Sequence, residues 1–177
     1  MTRIFIALTT VLLIAAALAC TTKAGADSAP SEALIPPMPA DSAINAHPPI
    51  PDLQLNDLNG KAFTLRSLGE NPVVMFFDPD CDHCQRECKA IRTRLKEFQP
   101  YPLLLVSIET SEKVKAFRDE YDLKDPIFSF ATGDLKAILT AVGPIPSVPC
   151  FYIYRGGKLH KRLEGEVEMD ELLQALK

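Results

Sequence analysis

The sequence predicts an α/β fold, a central β-sheet flanked by helices, over residues 51–177. Three observations predict it. Two continuous apolar runs, VVMFF (73–77) and LLLVSI (103–108), have the length and composition of strands buried on both faces. Between them Cys84, Cys88, Ile91, Leu95 and Phe98 recur at spacings of four and three, the period of one helical face. Strand-like and helix-like segments then keep alternating until a closing hairpin and helix, the pattern of layered α/β proteins.

Taken in order, the chain opens with a segment expected to lie outside that fold. Residues 1–19 carry one early charge, Arg3, then the almost wholly apolar run Ile4–Ala19 with small residues at its end, which reads as a secretory signal. The run is shorter than the ~20 residues of a spanning helix. Residues 20–50 read as a tether. Seven of the fifteen prolines fall between Pro30 and Pro51, mixed with Ala and Ser, and such a stretch buries little. His47 falls within it.

The folded part is expected to begin at Pro51. LQLNDLNGKAFTL offers two short strands around an Asn59-Gly60 turn. Pro72 precedes the first buried strand. The following helix carries Gln85, Arg86, Lys89, Arg92 and Lys96 opposite its apolar face and ends by Pro100. After LLLVSI, Ser111 is expected to cap a helix with Val114, Phe117 and Tyr121 inward. Ile127–Phe130 reads as a short strand and Asp134–Val142 as a helix. PSVPCFYIY and LHKRLEGEV flank a Gly156-Gly157 turn, and a last helix turns Met169, Leu172, Leu173 and Leu176 inward.

Composition narrows the function classes. The 177 residues are 47% hydrophobic and 24% charged, ordinary values for a globular protein, with a formal net charge of −4 and no Trp. No basic stripe is present, so no nucleic-acid partner is expected.

Three of the five cysteines lie in FFDPDCDHCQREC (76–88). Cys81 stands at the expected helix N-terminus, where free N–H groups and the helix dipole favour a thiolate. Cys84 follows one turn later, within reach of a disulfide. In thiol–disulfide exchange Cys81 attacks a substrate disulfide and Cys84 resolves the mixed disulfide. His83, when protonated, can stabilise negative sulfur. Asp78, Asp80 and Asp82 oppose the dipole at the same entrance, so only moderate stabilisation of a Cys81 thiolate is expected.

FFDPDCDHCQRE resembles the active-site segment of the thioredoxin superfamily, and within it the TlpA/ResA-like envelope thiol–disulfide oxidoreductases. NDLNGKAFTLRSL resembles their N-terminal hairpin, Val148-Pro149 their cis-proline position, and FYIYRGGKL the hairpin after it. The resemblance runs from about Pro51 to Lys177. It implies a thioredoxin fold, a redox-active Cys81–Cys84 disulfide, substrate contacts at Val148 and Pro149, and a Glu87 that assists proton transfer at Cys84. A solvated helix charge is the other reading of Glu87. The resemblance also implies thiol and disulfide proteins as substrates and an upstream electron donor, with no cofactor and no metal. Asp80 replaces the Trp common before the first cysteine, Met75 replaces the buried Asp of thioredoxin itself, and Val148 is more familiar in oxidising relatives. These departures bear on the direction of electron flow.

The sequence up to Cys20 resembles a bacterial lipoprotein signal, although Ala17 stands where such signals usually carry Leu. That resemblance implies lipidation of Cys20 and attachment to the cell envelope, with Thr21 directing the protein to the outer membrane, facing the periplasm. Cleavage after Ala19 without lipidation is the alternative. Either puts the domain outside the cytoplasm, where disulfides persist.

Cys88 and Cys150 read as core residues, with a Cys88–Cys150 bridge or a third redox thiol left open. His160 reads as exposed. Three other functions remain in view. Cys84, Cys88 and His160 loosely resemble the copper site of Sco-like proteins. The hairpin also suits peroxiredoxins, which need Thr or Ser where Asp78 stands. A binding module with a static Cys81–Cys84 bridge is the third.

Overall fold

Residues 47–177 of the protein are described in a computed structural model. The expected signal, Cys20 and most of the expected tether lie outside the described residues. A seven-stranded mixed sheet forms the centre, in the order β2-β1-β5-β4-β3-β6-β7. Its strands are β1 (Gln54–Asp57), β2 (Ala62–Thr64), β3 (Val73–Phe76), β4 (Leu103–Ser107), β5 (Phe128–Thr132), β6 (Cys150–Arg155) and β7 (Lys158–Glu164). The helices are α1 (Asp82–Thr93), α2 (Leu95–Phe98), α3 (Ser111–Glu120), α4 (Leu135–Val142) and α5 (Met169–Leu176). Strands β3, β4 and β5 pair in parallel, and every other pairing is antiparallel. Among these residues no helix is long and apolar enough to cross a membrane.

The two apolar runs are central strands because both of their faces are covered. Val73 and Met75 point into a core shared with Cys84, Cys88 and Ile91 of α1, Phe117 of α3 and Leu172 of α5. Val74 and Phe76 point into a second core with Leu55, Ile138 of α4, Cys150 and Tyr152. Each fully buried Leu, Ile, Phe or Met here stabilises the fold by roughly 1.5–3 kcal/mol through burial. Cys88 and Cys150 therefore lie in cores on opposite faces of the sheet, both as free thiols. The backbone of β3 separates them, and the Cys88–Cys150 bridge left open by the sequence is set aside.

Other expectations are corrected locally. The packed chain starts ahead of Pro51. Ile50 is buried, its N–H donates to Gly157 at 2.9 Å, and Pro49 bridges Lys158 at the β7 edge. His47, expected in the tether, has Nδ1 2.7 Å from the Leu159 carbonyl oxygen. The single helix expected through Phe98 breaks at Arg94 (φ −121°, ψ 26°) into α1 and α2. Arg94 is held there by Glu97 at 2.6 Å and Asp170 at 2.5 Å. The cap of α3 is Thr110, whose Oγ1 accepts from Lys113 N–H at 3.3 Å, and Ser111 is the first helical residue. In the β1–β2 turn Gly60 takes φ +83°, as expected of an Asn-Gly pair. Asp57, unremarked in the sequence, ties that turn by accepting from Asn59 and Lys61 N–H groups.

Candidate active site

Strand β3 delivers the chain to the C-terminal edge of the parallel strands, and α1 begins there. Asp78 turns it. Its Oδ1 accepts from Asp80 N–H at 2.8 Å and its carbonyl accepts from Cys81 N–H at 3.1 Å. Cys81 is the N-cap of α1, with extended backbone (φ −82°, ψ 115°) and no side-chain capping bond. The helix N-terminus thus has a sulfur in place of the usual capping oxygen. Of the three carboxylates at the entrance, Asp80 is paired with Lys113 at 2.8 Å.

The two cysteines of the expected pair differ sharply. Cys81 is half-buried and Cys84 fully buried, and both are thiols. Burial pushes the Cys84 thiol far up, the Asp78 backbone opposes this, and a hydrogen bond with Cys81 adds to the rise. Cys84 is therefore held in its thiol form. The Cys81 thiol donates to the Val148 carbonyl at 3.6 Å, and the Val148–Pro149 bond is cis. Of the two residues expected to contact substrate, Val148 thus touches the first sulfur through its carbonyl, and Pro149 follows it across the cis bond.

Glu87 is not a solvated helix charge. It is 1% exposed, which excludes the solvated reading. Its Oε2 accepts from Val167 N–H at 3.0 Å, while Oε1 is buried with no hydrogen-bond partner. Burial drives its carboxyl up to about 7, the Val167 N–H draws it down, and Glu166 and Glu168 push it up further. A buried carboxylate oxygen without a donor is costly, so the neutral acid is favoured. Cys88, one residue on, is pushed up to about 12, mainly by burial and then by the charge of Glu87. It is a core thiol.

His83 has partners that the sequence did not anticipate. Its exposed ring sits against Glu166 and Arg86, with Nδ1 2.9 Å from Glu166 Oε2 and 2.7 Å from Arg86 Nη2. With a proton, Nδ1 donates to Glu166; without one, it accepts from Arg86. Arg86 also grips Glu166 directly, Nε donating to Oε1 at 2.9 Å and Nη2 to Oε2 at 2.8 Å. The sequence placed Arg86 only on the polar face of α1, and it did not single out Glu166 or the Val167 N–H, which come from the loop after β7, 80 residues from their partners on α1.

Beside Val148 and Asp78 lies a groove of about 240 Å³ walled by Ile108, Leu135, Leu139 and Ile145. Among the described residues, Ile108, Leu135 and Leu139 are three of the few large apolar side chains left exposed. Cys150 is buried beneath the site, its thiol raised by burial and partly relieved by Arg162. His160 is exposed. Among the described residues no group of three or more His, Cys, Asp or Glu side chains is placed to hold a metal ion, so Cys84, Cys88 and His160 do not converge.

The chain is similar in sequence and fold to known proteins. ResA, a thiol-disulfide oxidoreductase of Bacillus thuringiensis subsp. konkukian, is 26% identical over 131 residues, spanning 72% of this chain and 74% of that protein. ResA of Bacillus cereus matches to the same extent. A thioredoxin-like protein of Porphyromonas gingivalis superposes with a TM-score of 0.59 at 24% identity, covering 72% of this chain and 88% of the other. A secreted Mycobacterium tuberculosis disulfide oxidoreductase homologous to E. coli DsbE gives 0.59 at 19% identity, covering 71% and 94%. The two structures show the fold, which is that of thioredoxin. The profile described as the AhpC/TSA family matches residues 47–158, and the chain belongs to that family, on its TlpA/ResA-like side.

Proposed function

We propose that the protein is a thiol–disulfide oxidoreductase whose working pair is Cys81 and Cys84, acting on protein substrates. The observation that carries this is the contrast within the pair: a half-exposed sulfur capping α1 beneath the Val148 carbonyl, and a buried sulfur one turn behind it. The chemistry of the curated relatives supports the same reading.

In the reducing direction the Cys81 thiolate attacks one sulfur of a substrate disulfide. An S–S bond forms to Cys81 as the substrate S–S bond breaks, and the leaving thiolate takes a proton. Cys84 then loses its proton and attacks Cys81, closing the Cys81–Cys84 disulfide and releasing the second substrate thiol. Two electrons pass from the pair to the substrate. Glu87 takes the Cys84 proton, because a carboxyl near neutrality suits a proton transfer at neutral pH. A donor dithiol must then reduce the pair again. The apolar groove beside Val148 favours polypeptide over small polar disulfides, since its walls offer area rather than charge.

The reading extends to the cell envelope. The run Ile4–Ala19 and Cys20 support export and lipid attachment, with the outer membrane as the site that Thr21 favours. The decisive experiment is the reduction potential of the protein against a thiol buffer, with Cys81→Ser as control. A reversible couple near ~−270 mV, absent in the control, is expected of a reductant, whereas ~−120 mV belongs to an oxidant. No reversible Cys81–Cys84 couple would end the redox reading.

Peroxide reduction is the second reading, favoured by the family profile itself. Asp78 stands where the peroxidatic cysteine's Thr or Ser is needed. Peroxide consumption by the reduced protein, measured beside disulfide exchange, discriminates between them.

A further inference from the structure

Three successive residues of the loop between β7 and α5 reach three different parts of the redox site. Gly165, in the left-handed region at φ +78°, donates its N–H to the Pro149 carbonyl at 2.8 Å. Glu166 is gripped by Arg86 and lies against His83 on the exposed side of α1. Val167 donates its N–H to Oε2 of Glu87 on the buried side of the same helix. Neighbouring residues thus straddle α1 and also hold the turn that faces Cys81.

We propose that Gly165–Val167 is a strap that positions the Glu87 carboxylate, with Glu166 as its pin and Arg86 as the anchor on α1. This rests on the reading of Glu87 as the proton carrier for Cys84. Arg86 and Glu166 do not touch the reacting sulfurs in this scheme; they are positioning residues. The bidentate Arg86–Glu166 geometry is the kind that fixes direction as well as distance. With it in place, the Val167 N–H is aimed at the one carboxylate oxygen that has a partner, and Oε1 is left free to take a proton. His83 then serves the strap rather than the thiolate.

The charges around Glu87 make the proposal decidable by sign. From the strap side it faces Glu166 and Glu168, both of which hold its proton on, and the Val167 N–H, which releases it. Along its own helix it faces the thiol of Cys88. The core shared with α1 is apolar at Met75 and Phe151. Glu166 itself is kept ionised, held down to about 2 by Arg86 and then His83. If Glu166 acts only through its charge, removing that charge lowers the Glu87 midpoint. If it acts as the pin, removing it loosens the Val167 bond and raises the midpoint.

The test is a carboxyl NMR titration of Glu87 in the reduced full chain, for the native protein, Arg86→Gln and Glu166→Gln, with hydrogen exchange of the Val167 amide followed in parallel. Both variants are expected to move the midpoint upward by ~0.5 unit or more, because a donor to the charged form is lost, and to speed Val167 exchange at least severalfold. Arg86→Lys, which keeps the charge without the fork, is expected to fall between native and Arg86→Gln, and replaces it should Arg86→Gln fail to fold. An unmoved midpoint in Arg86→Gln, or a downward shift in Glu166→Gln with Val167 still protected, overturns the strap. Neither readout needs exchange activity. A protein without a Cys81–Cys84 couple would sink the functional reading and leave the strap result standing.

Discussion

Val167 donates its backbone N–H to Oε2 of Glu87 at 3.0 Å, across 80 residues of sequence. That bond joins the loop before the last helix to the helix that carries the cysteine pair. It is also the one hydrogen bond that satisfies a carboxyl group otherwise closed off from solvent.

The burial of Glu87 has a stability consequence with a definite sign. Its carboxyl stands at about 7 in the fold against an ordinary 4.5, so the native state holds this proton more tightly than the unfolded chain. Its contribution is most favourable below pH 4.5 and is lost as pH rises through about 7. Glu87→Gln removes that dependence. Denaturant unfolding is expected to find the variant more stable than the native protein by up to roughly 3 kcal/mol at pH 8, with the gap closing towards pH 4. A gap independent of pH would show that Glu87 does not titrate in this range.

Exposure orders the reactivity of the four cysteines at 81, 84, 88 and 150. Brief treatment of the reduced native protein with iodoacetamide is expected to modify Cys81 first, and the three buried thiols only on unfolding. Peptide mass mapping reads this directly. Cys84→Ser is expected to accumulate a mixed disulfide at Cys81 with a substrate protein, since the resolving sulfur is gone. Labelling of Cys84 ahead of Cys81 would reverse their roles.

Cys88 is a core residue in this fold. Cys88→Ala is expected to lower stability by roughly 1–2 kcal/mol, measured by denaturant unfolding, and to leave the reduction potential where it was. Non-reducing mass mapping of the oxidised protein is expected to find no Cys88–Cys150 bridge, because the two thiols sit in cores on opposite faces of the sheet. Finding that bridge would require a rearranged sheet.

The start of α3 separates two adjacent hydroxyls. Thr110→Ala is expected to cost about 1 kcal/mol, the usual loss on deleting an N-cap. Ser111→Ala, at the first helical position, is expected to stay within about 0.5 kcal/mol. Equal costs in thermal unfolding would mean the cap is shared.

The sequence by itself determined the layers and the place of the chemistry. VVMFF and LLLVSI have the length and β-branched, apolar composition of strands covered on both faces. The spacing of Cys84, Cys88 and Ile91 matches the buried side of a helix, and that puts Cys81 at its mouth. These are local facts, set by periodicity and by where a helix can begin. Tertiary structure decided what depends on which distant groups meet. It buried Glu87, whose position at the border of a helical face allowed either outcome, because the β7–α5 loop closes over it. It set the His83 ring against Arg86 and Glu166, two partners that its place in the sequence does not reveal. It divided Cys88 from Cys150 by a strand, since neighbouring positions on β3 face opposite cores. The sequence ran Gly165-Glu166-Val167 into the hairpin segment LHKRLEGEV, but β7 ends at Glu164 and the three form a loop. Its role arises only where the chain returns to α1, since hydrogen bonds and ion pairs act between groups that the fold, not the order of residues, brings together.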